Sequence, residues 1–405
     1  MAGIHLEIGE HTSDFLAQAE IVIVSPGISV TSPLMDELQQ KGVTVVGELA
    51  FASAQVDKPI IAITGTNGKT TVTTLIGELL KGAGKRVFVG GNIGTSLFDY
   101  LLDPQGFEVL VLEVSSFQLE TAGDFAPDVA ILLNISPDHL DRHGSFREYR
   151  KEKMKIFSCQ KEGDVAIING DDSECMKLPE NFLAEIARFG TDEKFVAGIS
   201  GNDVVLYPGS KSERYTLAST QLQGQVGACN SAPAILAARY LGCTQSQIQN
   251  GLNTFSPLEH RMEFVHEQDG VRFFNDSKAT NTGAVVAALS QFEGKVILIA
   301  GGRDKGDDYT LLTPSVSEKV AMVVAMGESS NLIEEALLGS VNIIKATSMK
   351  DAVQKAAEGA VPGDSVLLSP ACSSFDMFTG YGHRGRVFKE EVRALRTVGQ
   401  EKGVL

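Results

Sequence analysis

The residues best suited to chemistry are Gly65-Thr66-Asn67-Gly68-Lys69-Thr70, followed by Thr71, within "AITGTNGKTTVTT". Two glycines free the backbone N–H groups to close around an anion, and Lys69 brings a cation to the β and γ phosphates of a nucleotide. The Thr70 hydroxyl can ligate Mg²⁺. A strict Walker A motif would carry a glycine at position 63, where this chain has Ile63, so the match is to a shortened G-x-x-G-K-[ST] form. Its setting supports it: "KPIIAI" reads as a strand and Val72–Gly82 as a helix. The bland alternative is a glycine-rich connector with an exposed lysine.

Five further stretches place polar groups where an apolar run ends. "FEVLVLEV" delivers Glu113 to a strand terminus, where a carboxylate can complete an oxygen shell around Mg²⁺ or merely cap a turn. "VAILLNISPDHLDRH" opens into acids and histidines. His139 can bind a metal there, with Asp138 or Asp141 orienting its ring. "NDSKATN" (275–281) and "GGRDKG" (301–306) bring Lys278 and Lys305, candidate holders of a phosphate and a carboxylate. Finally, "SPACSSFDMFTGY" reads as an anion-binding loop. Its Cys372 has no base partner in the pattern, which disfavours thiol catalysis.

The elements that carry these groups alternate. Residues 1–50 hold a short strand at Glu20–Ser25, a helix in "PLMDELQQKG" and a second strand in "VTVVGELA", too little for a self-sufficient domain. From position 59 buried parallel strands alternate with helices. The pattern shifts to short hairpin-like strands near 195–217, then to the helix "SAPAILAARYLG" and the turn "FSPLEHRME". A fresh series follows: "VRFFND", "KVILIAGG", "VAMVVAMG", "NIIKA" and "DSVLLSPA", separated by helices, as in a doubly wound sheet. The expected division is 1–50, 51–257 and 258–405.

Composition bounds the function. A chain of 405 residues with 43% hydrophobic and 21% charged content is expected to form two or three α/β domains. A net charge of −16 disfavours a nucleic-acid surface. The five cysteines follow no framework or zinc spacing, and no segment reads as a membrane span or signal peptide, so a cytoplasmic protein with reduced thiols is expected.

Taken in order, "GTNGKTT", "GGNIG", "EVSSFQL", "DHLDRH", "HR" (260–261), "NDSKATN" and "SPACSSFDMF" resemble the Mur ligases, ATP-dependent amide-forming enzymes of peptidoglycan synthesis, over nearly the whole chain. "SPG" (25–27), "NDSKATN" and "SPACSSFD" are similar to the branch that adds D-glutamate. The resemblance implies a three-domain α/β architecture: an N-terminal Rossmann-like domain, incomplete here, a central P-loop ATPase-type domain and a C-terminal Rossmann-like domain. It implies a monomer that uses ATP, two Mg²⁺ ions and a CO₂-derived carbamate on Lys153 to join D-glutamate to UDP-N-acetylmuramoyl-L-alanine, with no nucleic acid or membrane involved. Residues 65–71 and Asn230, Arg261, Asp276 and Lys278 would hold ATP. Thr70, Glu113, His139 and carbamylated Lys153 would serve the metals. Ser25, Pro26, Gly27, Asn92 and His139 would face the UDP substrate, and Thr280, Lys305, Ser374, Phe375 and Tyr381 would face D-glutamate. Without the resemblance, Lys151, Lys153 and Lys155 read as a solvated helix face.

Some positions depart from the family pattern. Pro233 replaces a second asparagine beside Asn230, Tyr381 stands for a phenylalanine, and the family's opening strand and glycine-rich turn are not read. The alternatives are a sibling ligase, a folylpolyglutamate synthase-like enzyme, or an ATP-binding but catalytically impaired fragment.

Overall fold

A computed structural model describes residues 4–28, 32–179, 182–207, 211–256, 259–292 and 294–400. The chain falls into two compact units. The first comprises Met1–Ile135, Arg150–Thr216 and Cys229–Leu252. It opens with β1 (Ile21–Val24) and β2 (Thr44–Gly47), which pair in parallel as a two-stranded sheet. Parallel pairing requires a crossover, supplied by the helix Pro33–Gln40. Its Met35 and Leu38 pack with Val24 and Val43 in a small core of their own.

A nine-stranded sheet follows, built from β3 (Ile60–Thr64), β4 (Val87–Gly91), β5 (Val109–Glu113), β6 (Val129–Leu132), β7 (Val165–Asn169), β8 (Glu185–Gly190), β9 (Ala197–Ser200), β10 (Asp203–Leu206) and β11 (Glu213–Thr216). The order is β11-β10-β9-β8-β7-β6-β3-β5-β4. Strands β3 to β9 run parallel, and β9, β10 and β11 pair antiparallel, the hairpin-like end anticipated near 195–217. Every residue of β3, β5 and β6 is buried, as expected for strands covered on both faces. Because β3 lies between β5 and β6, the connection from β3 to β4 runs to one side of the sheet and that from β5 to β6 crosses β3 to the other. That makes a crevice at its C-terminal end, where open α/β sheets bind ligands.

The second unit comprises Ser136–Tyr149, Leu217–Ala228 and Asn253–Leu405. Its six-stranded sheet contains β12 (Glu263–Gln268), β13 (Val271–Asn275), β14 (Val296–Ala300), β15 (Val320–Met326), β16 (Asn342–Ala346) and β17 (Ser365–Leu368), in the order β12-β13-β17-β14-β15-β16. Only β12 is antiparallel. It turns into β13 through Asp269-Gly270, both with positive φ, a turn that suits the strand twist. Leu298 and Ala300 join one core cluster, and Ile297 and Ile299 join another, so both faces of the sheet are covered. The late insertion of β17 between β13 and β14 gathers the loops after these three strands at one edge.

Of the expected divisions, 50/51 falls inside the helix Glu48–Ser53, and 257/258 lies outside the described residues. Among the described residues no helix is long and apolar enough to cross a membrane.

Candidate active site

In the first unit the glycine loop leaves β3 with Gly65 at φ 153° and Gly68 at φ 84°, conformations that L side chains rarely adopt. Space is as restrictive as backbone. A Cβ on Gly65 would approach Leu133 Cβ to 2.9 Å, and one on Gly68 would approach Asn230 Oδ1 to 2.4 Å. The helix Lys69–Gly82 starts directly after Gly68, three residues earlier than its apolar pattern suggested, because the left-handed glycine caps it.

Asn134, the second residue beyond β6, fixes the loop. Its backbone carbonyl accepts from Thr66 N at 2.9 Å, its Oδ1 accepts from Asn67 N at 2.8 Å, and its Nδ2 donates to Asn67 O at 3.1 Å. Lys69 Nζ donates to the carbonyls of Gly65 and Thr66 at 2.9 and 2.8 Å. Thr70 is buried at the helix start, with Thr71 half-buried beside it.

Lys153 corrects one reading. It is not on a solvated face: it is 1% exposed, and its Nζ donates to Gly65 O at 2.8 Å. Its neighbours Lys151 and Lys155 do remain accessible.

Glu113 is 2% exposed at the end of β5. Its Oε1 accepts from Asn92 Nδ2 at 2.8 Å, and Asn92 N donates to Glu113 O at 2.8 Å. Its Oε2 is buried with no hydrogen-bond partner. A polar oxygen left bare in the interior is costly unless a donor or a cation meets it. The bare oxygen, the tight glycine loop and Lys69 together suit a magnesium-bound nucleotide phosphate. No group of three or more His, Cys, Asp or Glu side chains among the described residues forms a self-contained metal site. Ser25, Pro26 and Gly27 form the turn after β1, closed by Ile28 N to Ser25 O at 3.0 Å.

The second unit is organised by side chains. Arg384, 1% exposed on the helix Tyr381–Gln400, ties the loop after β13 to the loop after β17. It donates to Ser277 Oγ and Ser277 O at 3.0 and 2.8 Å, and to the carbonyls of Cys372 and Ser373 at 3.1 and 3.2 Å. Burial lowers its pKa to about 10, so it stays charged at neutral pH.

Asp276 accepts from Ser369 Oγ at 3.0 Å and Met262 N at 3.2 Å, and burial raises its carboxyl to about 7 against the pull of those bonds and of Arg261 and Arg384. Arg261 lines a cavity of about 780 Å³ together with Gln221, Phe264, Phe274 and Phe292. The Lys278 ammonium lies 4.0 Å from the centre of the Tyr381 ring, a cation–π contact. Lys305 Nζ donates to Asp138 Oδ1 at 2.7 Å. The His139 ring sits against the same carboxylate, with Nε2 3.7 Å from Asp138 Oδ2. The Asp141 side chain lies outside the described set.

Ser374 is buried, its carbonyl accepting from Met377 N and Phe378 N, Phe375 is exposed, and Thr280 is half-buried between Ala279 and Asn281. Cys372 Sγ is 3.1 Å from both Tyr309 Oη and Ser329 Oγ, and burial raises its thiol pKa, which leaves it a packed structural group rather than a nucleophile.

Sequence reasoning missed Asn134 and Arg384 as organisers, and gave Asp138 only to His139. Asn134 and Arg384 carried a faint signal, each being a polar residue next to a strand end or a loop motif. Their partners lie 67 and 107 positions away, beyond the reach of spacing.

Comparison with known proteins agrees along the chain. Residues 1–47 match the Mur ligase MurD-like N-terminal domain, 63–238 the Mur ligase middle domain and 260–372 the Mur ligase glutamate ligase domain. The UDP-N-acetylmuramoylalanine–D-glutamate ligase of Desulfotalea psychrophila is 48% identical over 98% of this chain and 87% of its own length. The chain belongs to the Mur ligase family.

The ligase of the same name from Syntrophus aciditrophicus is 42% identical, over 97% of this chain and 87% of its own. Solved ligase structures share the fold. MurF ligase from Thermotoga maritima, in complex with ADP, superposes with a TM-score of 0.66 at 20% identity, covering 94% of this chain and 99% of that one. A pseudomurein peptide ligase type C from Methanothermus fervidus gives 0.67 at 18% identity, covering 95% and 89%.

Proposed function

We infer that this Mur ligase joins D-glutamate to UDP-N-acetylmuramoyl-L-alanine, converting ATP to ADP and phosphate, in the synthesis of peptidoglycan precursors. The observation that carries this reading is the identity of 48% over 98% of the chain to a curated D-glutamate ligase. The glycine loop, the bare Glu113 oxygen and the lysine-bearing loops support it.

A carboxylate is a poor acyl donor, so the L-alanine carboxylate first takes the γ-phosphoryl group and becomes an acyl phosphate. The amine of D-glutamate attacks that carbonyl, and phosphate leaves from the tetrahedral intermediate. Lys69 and the N–H groups of residues 65–71 hold the transferring phosphates, and Lys278 neutralises charge on the moving group. Asn230, Arg261 and Asp276 serve the nucleoside, with Phe264 and Phe274 near Arg261 offering apolar faces to a base. Ser25, Pro26, Gly27 and Asn92 serve the UDP substrate. Thr280, Lys305, Ser374, Phe375 and Tyr381 serve D-glutamate and fix its amine within reach. Thr70, Glu113, His139 and a carbamate on Lys153 would hold two Mg²⁺ ions. When bound, these ions neutralise phosphate charge. Carbamylation of Lys153 turns a buried cation into an oxygen ligand, which suits a lysine 1% exposed beside the glycine loop.

The test is ATP-dependent phosphate release with UDP-N-acetylmuramoyl-L-alanine and a panel of amino acids. D-Glutamate alone is expected to stimulate it. Stimulation by L-lysine, diaminopimelate or L-glutamate in its place would move the chain to a sibling activity.

A further inference from the structure

Lys305, read above as the carboxylate-holding lysine of the amino-acid pocket, already holds a carboxylate. Its Nζ is 2.7 Å from Asp138 Oδ1, with side-chain exposures of 13% and 7%. A ligand bearing only a carboxylate would take Lys305 from Asp138 and leave a buried anion stranded, which is expensive. A zwitterion can replace both partners at once.

We propose that Asp138 receives the α-ammonium of the incoming amino acid while Lys305 receives its carboxylate, the resting ion pair opening to admit the substrate.

Three features support the exchange. Asp138 is held without Lys305: its Oδ2 accepts from Asn281 Nδ2 at 3.1 Å and its Oδ1 accepts from His139 N at 2.9 Å. The carboxylate therefore keeps its place when the flexible lysine stem swings away. Asn281 is itself fixed, since its Oδ1 caps the helix Thr282–Leu289 by accepting from Ala284 N at 2.8 Å. It is also next to Thr280 and three residues from Lys278, so the ammonium would be received beside the loop that serves the substrates. Finally, the surroundings carry more acid than base. Asp307 has a buried Oδ2 with no hydrogen-bond partner, and its carboxyl is raised to about 7, chiefly by burial, with Lys305 pulling it down and Asp138 and Asp304 pushing it up. Such a setting favours an added cation.

The proposal rests on D-glutamate binding at Lys305, and the experiment separates the two ideas. D-Glutamate is compared with glutarate, the same dicarboxylate without the amine, as substrate and competing inhibitor. Asp138→Asn is expected to raise the KM for D-glutamate at least about tenfold, while glutarate binds as well or better because Lys305 is released. Asp138→Glu, which keeps the charge, should give an intermediate KM. Equal weakening of both ligands in Asp138→Asn, with no recovery in Asp138→Glu, would reduce Asp138 to a structural role and overturn the proposal. An unchanged KM for D-glutamate would overturn it too. Lys305→Met should weaken both ligands. If it weakens neither, the placement of D-glutamate at Lys305 fails, and the proposal with it.

Discussion

The loops at the C-terminal edge of the nine-stranded sheet and those at the same edge of the six-stranded sheet arise from similar parallel topologies, yet they are held in different ways. In the first, backbone predominates: Gly65 and Gly68 take conformations closed to other residues, and Asn134 ties down the Thr66 and Asn67 amides. In the second, charged side chains predominate: Arg384 staples two loops, Asp276 sits buried between Ser369 and Met262 N, and Lys305 pairs with Asp138, an acid that the chain supplies from beyond β6. Backbone amides and one bare carboxylate oxygen suit phosphates and their cation. Paired side-chain charges suit an amino acid, which carries both signs. The contrast shows that a shared sheet edge is specialised by the type of group that rigidifies its loops.

The strongest way to break the contrast is at Lys69. Lys69→Ala is expected to cut kcat on the order of a thousandfold, because the moving phosphoryl group loses its cation, with thermal stability little changed. A loss below tenfold would remove the loop from the chemistry. Arg384→Met acts through the fold as well. It should lower unfolding free energy by about 3 kcal/mol in a urea titration, since several buried acceptors lose their donor together. Asn134→Ala removes the acceptor of the Asn67 amide, and is expected to raise the KM for ATP about tenfold with little change in thermal stability.

A pH measurement sharpens the electrostatic half. Asp276 has its carboxyl raised from 3.8 to about 7 by burial, so between these values the unfolded chain releases a proton that the folded chain keeps. Its contribution to stability is therefore favourable at low pH and is lost as pH rises through that window, at up to about 1.4 kcal/mol per pH unit. Asp276→Asn should flatten that part of the stability–pH curve. The smallest effect is expected at Tyr381. Tyr381→Phe keeps a ring under Lys278 and should change kcat/KM less than about twofold, whereas Tyr381→Ala removes the cation–π contact and should cost a few-fold.

Much of this was legible in the sequence, and what was not has a physical reason. The glycine loop, the strand that ends in Glu113 and the alternation of both large sheets depend on neighbours within a few residues, so local pattern revealed them. Lys153 was not legible, because a helix reading "RKEK" has the composition of a solvated face and only the tertiary fold turns one lysine inward. The pairing of Asp138 with Lys305 spans 167 positions and has no local mark at either end. Arg384 was hidden in the same way: its partners Ser277 and Cys372 come from the loops of different strands.

The central claim is that ATP activates a substrate carboxylate, and oxygen-18 tracing tests it most directly. UDP-N-acetylmuramoyl-L-alanine labelled with oxygen-18 in its carboxylate is turned over with ATP and D-glutamate, and the released phosphate is read by mass spectrometry. Passage through an acyl phosphate predicts that each phosphate released carries one oxygen from the labelled carboxylate. Phosphate without label, with amide still formed, would contradict the account.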